Sequence, residues 1–344
     1  LHVVVQWASL QRRDVRRMYV TKDSQPQRVN SIELANLGPV DMGDWHRLVD
    51  FVEWGVKNFP AKRYFIDVWN HGSGWHRDHL FSKRTDVFFP TDISHDDISG
   101  HAITTVELGL AMQAAATAIG HKVDLYGSDA CLMGMLEVAS QMADAVEYFV
   151  GSEEVEPAPG WAYGDFLKEW MTDPLRPTIE VAKILTRTYV RSYEGGSQGR
   201  NQVTLSAFDL KRMGAIEHAF TELAQALAAL PSAALAEIRG RLAQTQTFYF
   251  DDYADLGDFL DRLEEGRHVQ LRTPDFRARI QSLRAELQNF VISNETTQSY
   301  ARAQGAALWL PYSRALLNDF APAYALLTFE KTTGWLAALQ KLWE

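Results

Sequence analysis

The chain has 344 residues, of which 46% are hydrophobic, so it can form one large domain or two with a substantial core. Its formal net charge of −10 argues against a nucleic-acid-binding surface and is compatible with cationic substrates. The chain has no run of 18 apolar residues, so no segment is predicted to span a membrane, and its single cysteine excludes an intrachain disulfide.

Predicted strands and helices alternate along the first two thirds of the chain. Apolar or β-rich runs predict strands at 2–7, 17–20, 63–69, 122–127, 147–151, 202–208 and 305–311. Amphipathic patterns predict helices at 44–58, 104–119, 132–145 and 178–194. Thr104 or Thr105, with Glu107 close behind, resembles an N-cap. This alternation predicts an α/β fold with a mostly parallel sheet and helices on both faces.

Three regions are predicted. Residues 1–208 form the α/β core, residues 209–293 form an Ala-, Leu- and Arg-rich helical subdomain, and residues 294–344 contain a return strand and a closing helix. The chain starts directly in a strand and without Met, so we expect that upstream residues, including any signal peptide, are missing and that the N-terminal edge of the sheet is incomplete.

The only cysteine, Cys131, follows the strand predicted at 122–127, after a run of small residues, and a helical pattern begins directly after it. The carboxyl edge of a parallel sheet is where α/β proteins place their chemistry. A helix N-terminus would also favour the thiolate form of the cysteine. The alternative for a lone cysteine is a small buried hydrophobic residue.

A second strand end carries a histidine, in the run Asn70-His71-Gly72-Ser73-Gly74. Glycines there permit unusual backbone angles and a close approach of substrate. Taken alone, His71 is equally compatible with a structural turn histidine. Two parallel strands that end in His71 and Cys131 would place a base and a nucleophile side by side, which is the pattern of a cysteine hydrolase.

A metal-dependent hydrolase is an alternative class, because His71, His76, Asp78 and His79 lie close together in sequence. The spacing of the three histidines fits no shared helix face, and the two glycines argue against a helix there. We therefore predict no metal ligands.

Segments 69–75 and 129–134 resemble the two catalytic motifs of the clostripain family of cysteine peptidases. Further segments that resemble this family are 37–43, 152–154, 160–163 and 204–210. The resemblance implies the fold shared by caspases, legumains and gingipains. It also implies a bacterial cysteine endopeptidase that acts on peptides or proteins, with a secreted or periplasmic location. A catalytically silent, caspase-like binding or scaffold protein is the alternative.

The resemblance also assigns roles. His71 and Cys131 would form the catalytic dyad, with a thioester acyl-enzyme, and the backbone amides of Gly72 and Cys131 would form the oxyanion hole. Clostripain-like enzymes cleave after Arg or Lys, and Asp129 matches an acidic position of the pocket that receives this side chain. Asp129 could instead only cap the following helix.

The sequence departs from the family at Pro159, where relatives often carry an acidic residue. Either Glu153, Glu154 or Glu156 substitutes for it, or the preference for basic residues is weakened.

Activation by self-cleavage is predicted in the loop after His71. Lys83 and Arg84 form its only basic pair and are the expected self-cleavage sites of an enzyme that prefers basic residues. No organic cofactor is predicted, and a calcium requirement is left open. An inhibitory N-terminal segment would lie upstream of this chain.

Overall fold

The computed structural model describes residues 1–22, 29–75 and 92–344. Its strands are β1 (Val4–Ser9), β2 (Asp14–Tyr19), β3 (Ile32–Gly38), β4 (Phe65–Trp69), β5 (Val123–Asp129), β6 (Val146–Gly151), β7 (Glu194–Gly196), β8 (Gly199–Arg200), β9 (Thr204–Asp209), β10 (Tyr253–Asp255), β11 (Val291–Thr296) and β12 (Ala307–Trp309). Its helices are α1 (Trp45–Asn58), α2 (Thr105–Ile119), α3 (Leu136–Met142), α4 (Tyr163–Trp170), α5 (Thr178–Tyr193), α6 (Met213–Ala228), α7 (Ser232–Leu242), α8 (Leu256–Glu264), α9 (Pro274–Phe290), α10 (Arg314–Tyr324), α11 (Thr328–Thr333) and α12 (Trp335–Leu342).

The central sheet has five strands in the order β11-β9-β6-β5-β4. Neighbours β4, β5 and β6 are parallel, β9 is antiparallel to β6, and β11 is antiparallel to β9. All strands except β9 therefore run in the same direction. This confirms the predicted α/β fold with a mostly parallel sheet.

Helices cover both faces of this sheet. Leu125 and Val150 pack with apolar residues of α4 and α5 on one face. Their neighbours Tyr126 and Phe149 belong to a larger cluster on the other face, which includes residues of α2, α3 and the C-terminal helices. Successive strand residues point to opposite faces, so the central strands are buried on both sides, as their apolar sequences predict.

Local sequence signals set several helix ends. Thr104 accepts a hydrogen bond from the Glu107 amide, and the Glu107 side chain accepts one from the Thr104 amide, which forms the predicted capping box of α2. The helix ends at Gly120, which has a φ of 89° and adopts the left-handed conformation that glycine favours. Asp44 caps α1 through the His46 amide.

The C-terminal third differs in detail from the sequence analysis. Helices α6 to α9 confirm the helical character of this region, but they share one apolar cluster with the central sheet. The predicted return strand, β12, pairs antiparallel with β10 in a separate two-stranded sheet. The last strand of the central sheet is instead β11, which was not predicted and spans the boundary drawn at 293. The division into three regions stays a prediction.

A separate antiparallel sheet in the order β1-β2-β3 packs near α1. The Arg17 guanidinium of β2 lies 4.9 Å from the ring centroid of Trp54 on that helix, within the range of a cation–π contact. Among the described residues, no helix combines the length and apolar character needed to cross a bilayer.

Candidate active site

The predicted histidine and cysteine strands are direct neighbours in the central sheet. β4 and β5 pair in parallel, with Trp69 opposite Asp129 at their carboxyl ends. The Asn70 amide continues the pairing, at 3.3 Å from the Asp129 carbonyl oxygen. His71 and Cys131 follow immediately, so both emerge at the same edge of the sheet, as predicted.

Gly72 brings the two segments into backbone contact. A Cβ on Gly72 would overlap the carbonyl oxygen of Cys131 and would lie 3.0 Å from the Ala130 Cβ. Real Cβ atoms essentially never come that close to such neighbours. This residue therefore has to be glycine for the His71 segment to lie against the Cys131 segment.

Backbone amides surround the Cys131 thiol. The Glu156 amide lies 3.3 Å from Sγ, and the amides of Gly72 and of Cys131 itself also hydrogen-bond the sulfur. Burial nevertheless raises the pKa of the thiol, the Glu154 carboxylate raises it further, and the three amides oppose this rise only in part. The resting residue is therefore a thiol at neutral pH.

The expectation that a helix N-terminus would favour the thiolate is wrong. The helical pattern was predicted from residue 132, but α3 begins only at Leu136. Residues 130–134 form a turn in which Leu132 has a φ of 63°, a left-handed conformation that is costly for a branched side chain. The Leu132 amide donates to the Glu154 carbonyl oxygen at 3.2 Å, and the Gly134 amide donates to that of Ser152 at 2.7 Å. The loop after β6 thus holds this turn in place.

His71 lies at the surface of this edge. Partial burial of its ring lowers the pKa, the nearby Asp97 carboxylate acts in the opposite direction, and His95 lowers the pKa further. The segment that carries Asp97 is held beside the His71 loop by a bridge between Gly72 and Ile93. The imidazole is therefore neutral at pH 7, as a base requires.

Asp129 is the buried centre of an acidic group beside Cys131. Only 2% of the residue is exposed, and its Oδ2 accepts hydrogen bonds from the Trp161 amide at 3.0 Å and the Tyr163 hydroxyl at 2.7 Å. The same hydroxyl lies 2.5 Å from Asp67 Oδ2. The Glu156 carboxyl lies beside Asp129 and accepts a hydrogen bond from Trp161 Nε1 at 3.2 Å. We call Asp67, Tyr163, Asp129 and Glu156 the carboxyl chain.

The alternative that Asp129 only caps the following helix is wrong. The N-cap of α3 is Met135, and no side chain caps this helix. Asp129 instead faces the layer of α4 and α5, because it shares a face of β5 with Leu125. Gly160 makes room for it, since a Cβ there would lie 2.9 Å from both Asp129 carboxylate oxygens.

The other two predicted substrate-binding residues lie in different surroundings. Glu153 is fully buried beside Asp255, outside the carboxyl chain, and burial followed by the Asp255 charge raises its pKa. Glu154 contacts Tyr300 and the Val155 amide, and its charge acts on Cys131. Glu156, the third acidic residue of the loop, is the one that reaches Asp129.

Sequence reasoning missed Asp67, although a signal for it existed. Asp67 lies in the middle of β4, an otherwise apolar strand, and two residues before Trp69, so it faces the same side of the sheet as Trp69 and Asp129. A carboxylate in such a strand is rare unless it has a partner. Here the partner is Tyr163.

Several predicted residues lie outside the described part of the chain. These are His76, Asp78, His79, Lys83 and Arg84. Within the described residues, no group of three or more His, Cys, Asp and Glu side chains could hold a metal ion.

Comparisons with known proteins identify the family of this chain. The family model for peptidase C11, described as the clostripain family, matches residues 8–343. Clostripain of Hathewaya histolytica is 24% identical over 309 residues, which are 79% of this chain and 57% of that protein. The chain therefore spans somewhat over half the length of this curated relative.

Solved structures share the fold. An inactive zymogen C11 protease from Parabacteroides distasonis matches with a TM-score of 0.67 and 17% identity, over 96% of this chain and 87% of that chain. A secreted C11 cysteine protease from Bacteroides thetaiotaomicron, in complex with an irreversible peptide inhibitor, matches with a TM-score of 0.66 and 16% identity, over 98% of this chain and 88% of that chain.

Proposed function

Because the chain belongs to the clostripain family, we propose that it is a cysteine endopeptidase in which His71 and Cys131 form the catalytic dyad. The observation that carries this proposal is the backbone contact of Gly72 with Cys131 at the ends of two parallel strands. A base and a nucleophile that are distant in sequence are thereby held on one sheet edge, which is the arrangement expected of a cysteine hydrolase.

The proposed reaction is acyl transfer through a thioester. Neutral His71 accepts the proton of the Cys131 thiol as the sulfur attacks the scissile carbonyl carbon, and it then donates that proton to the leaving amine. Water hydrolyses the thioester in a second step with the same base. The amides of Gly72 and Cys131 lie against the sulfur, where they can stabilise the negative oxygen of both tetrahedral intermediates.

We also propose a preference for Arg or Lys before the scissile bond. The proposed role of Asp129 in binding this basic side chain is supported by its burial beside Cys131. Among the described residues, no Arg, Lys or His forms an ion pair with Asp129. Glu156 is the candidate to replace the acidic residue that relatives often carry at the position of Pro159, because among the loop glutamates it is the one that lies beside Asp129. Glu154 remains a proposed contact nearer the thiol.

Fluorogenic peptides that differ only before the scissile bond test the proposal, with Arg, Lys, citrulline or Ala at that position. We expect cleavage of the Arg and Lys peptides and loss of activity with iodoacetamide or in Cys131→Ala. A chelator-sensitive activity that survives alkylation would support the metal-dependent alternative. No cleavage of any peptide by a folded protein would support a silent binding protein.

The secreted location stated for the Bacteroides relative is proposed for this protein as well. Fractionation of the source cells into medium, periplasm and cytoplasm, followed by immunoblotting, would test it. We expect the protein outside the cytoplasm.

A further inference from the structure

The Tyr163 hydroxyl joins two carboxyls of the carboxyl chain. It contacts Asp67 Oδ2 at 2.5 Å and Asp129 Oδ2 at 2.7 Å, and the Glu156 carboxyl lies beside Asp129. Asp67, Tyr163 and Asp129 are thus joined by two oxygen–oxygen contacts. Each contact at hydrogen-bond distance needs one hydrogen between its oxygens.

The proton count follows from the chemistry of the groups. A phenol carries one hydrogen, whereas an ionised carboxylate only accepts hydrogen bonds. Tyr163 therefore supplies one of the two hydrogens, and the other must be a carboxylic acid proton of Asp67 or Asp129. The carboxyl chain thus holds at least one carboxylic acid proton when no substrate side chain is bound.

The surroundings do not supply a cation to replace such a proton. The titratable groups that interact with the carboxyl chain are Cys131 after β5, Tyr126 on β5, and Tyr189 and Tyr193 on α5. All of them are neutral or anionic near neutral pH. Among the described residues, no Arg, Lys or His forms an ion pair with Asp67, Asp129 or Glu156.

The environment also favours protonation. Burial, followed by the charge of Asp129, raises the pKa of Asp67 well above its ordinary value. The same two causes raise the pKa of Glu156, and burial raises that of Asp129. Tyr163 lies at the boundary with solvent, so protons have a route out of the chain.

We propose that Asp67 and Glu156 determine specificity together with Asp129, and that the basic side chain before the scissile bond binds in exchange for protons from the carboxyl chain. This inference rests on the proposed function. A guanidinium is always charged and offers five N–H donors. Its N–H groups replace the carboxylic O–H donors, its positive charge favours the ionised carboxylates, and at least one proton passes to solvent for each peptide bound.

The exchange has a measurable consequence. Each proton released on binding makes the affinity for an arginine peptide rise by about tenfold per pH unit while the chain is still protonated. A citrulline peptide has the same length and shape but carries no charge, so it leaves the protons in place. Both peptides approach His71 in the same way, so any proton exchange at His71 cancels when the two are compared. The difference in proton release between the peptides therefore reports on the carboxyl chain alone.

The experiment is isothermal titration calorimetry of the Cys131→Ala protein with matched Arg and citrulline peptides. Titrations at pH 6.5 in buffers of different ionisation enthalpy give the number of protons released. We expect one to two more protons released with Arg than with citrulline. Equal proton release for the two peptides would overturn the inference.

Isosteric variants locate the protons. In Glu156→Gln, the amide can still accept from Trp161 Nε1 and donate to Asp129, and Asp67→Asn still accepts from Tyr163. Each variant is expected to lower the Arg-specific proton release, and the double variant is expected to abolish it. Asp165→Asn on α4 is the matched control, since Asp165 contacts Ser197 and not the carboxyl chain. Wild-type proton release in the double variant would contradict the assignment.

The outcomes separate this inference from the proposed function. If the wild-type enzyme cleaves the Arg and citrulline peptides equally well, the basic preference is wrong and the inference falls with it. If it strongly prefers Arg but binding releases no additional proton, only the proton exchange is wrong.

Discussion

Gly72 and Cys131 are in backbone contact, so close that a Cβ on Gly72 would overlap the Cys131 carbonyl oxygen. Gly72→Ala must therefore displace one strand end from the other and move the Gly72 amide away from the sulfur. We expect kcat/KM to fall by about 100- to 1,000-fold, the loss typical of a missing oxyanion donor. Gly55→Ala in α1 is the control, because a Cβ there meets nothing within 4 Å, and its activity should be unchanged. Wild-type activity in Gly72→Ala would remove this amide from the mechanism.

The proposed dyad predicts non-additive losses. Cys131→Ala and His71→Ala should each lower kcat/KM by on the order of 10⁴-fold or more, and the double variant should be barely worse, because both residues act in one step. Circular dichroism should show that all three proteins are folded. Losses that multiply would mean that the two residues act independently.

The ionisation of the dyad predicts two pH dependences. Burial lowers the pKa of His71 below 6.5. At low pH, kcat/KM should fall as His71 becomes protonated and can no longer act as a base. The midpoint of this fall should lie below pH 6.5. Burial raises the pKa of the Cys131 thiol above 9.0, so alkylation by iodoacetamide should accelerate with pH and reach its midpoint above pH 9.0. An alkylation rate that stays flat from pH 5 to 8 would instead indicate a preformed thiolate–imidazolium pair.

The buried Glu137 carboxyl is expected to contribute less to the free energy of unfolding as pH rises. Its carboxyl is buried, where it accepts hydrogen bonds from the Trp309 amide and the Tyr324 hydroxyl, and burial raises its pKa from 4.5 to about 7. At this group the folded protein therefore binds one more proton than the unfolded chain between these values, so the contribution of Glu137 to stability is fully present below pH 4.5 and is lost as pH rises to about 7. The loss is on the order of 3 kcal/mol.

Glu137→Gln should flatten this part of the stability profile, measured by urea unfolding at several pH values. The control is Glu147→Gln, because Glu147 lies at the surface beside Lys211. Asp255, whose pKa burial raises to about 6, should still contribute a slope in both variants. An unchanged profile in Glu137→Gln would show that Glu137 is already ionised in the fold.

Self-processing stays a prediction, because Lys83 and Arg84 lie outside the described residues. Purified wild-type protein should slowly yield two fragments that meet near residue 84 and remain associated, since β4 and β5 lie on opposite sides of the cut and pair in one sheet. Cys131→Ala and the Lys83→Ala/Arg84→Ala variant should both stay intact by mass spectrometry. A wild-type chain that is intact and fully active would exclude processing without excluding peptidase activity.

The sequence by itself determined the fold class and the placement of His71 and Cys131 at one edge of the sheet. The alternation of apolar runs with amphipathic helices predicted the parallel sheet, because the residue pattern of each segment indicates its secondary structure and which of its faces are buried. The two strand ends predicted that His71 and Cys131 share one edge, because parallel strands present their carboxyl ends together. The capping box of α2 was likewise readable, since all its groups lie within four residues.

Only the tertiary structure decided which acidic residues meet Asp129. Asp67 comes from a strand before Asp129, whereas Glu156 and Tyr163 come from a loop and a helix after it, and no period or spacing relates them to Asp129. The protonation state of the Cys131 thiol also depends on the tertiary structure. Burial and Glu154 raise the pKa of Cys131, whereas sequence reasoning placed a helix terminus there. Desolvation depends on everything packed around a group, which is information that the local sequence does not contain.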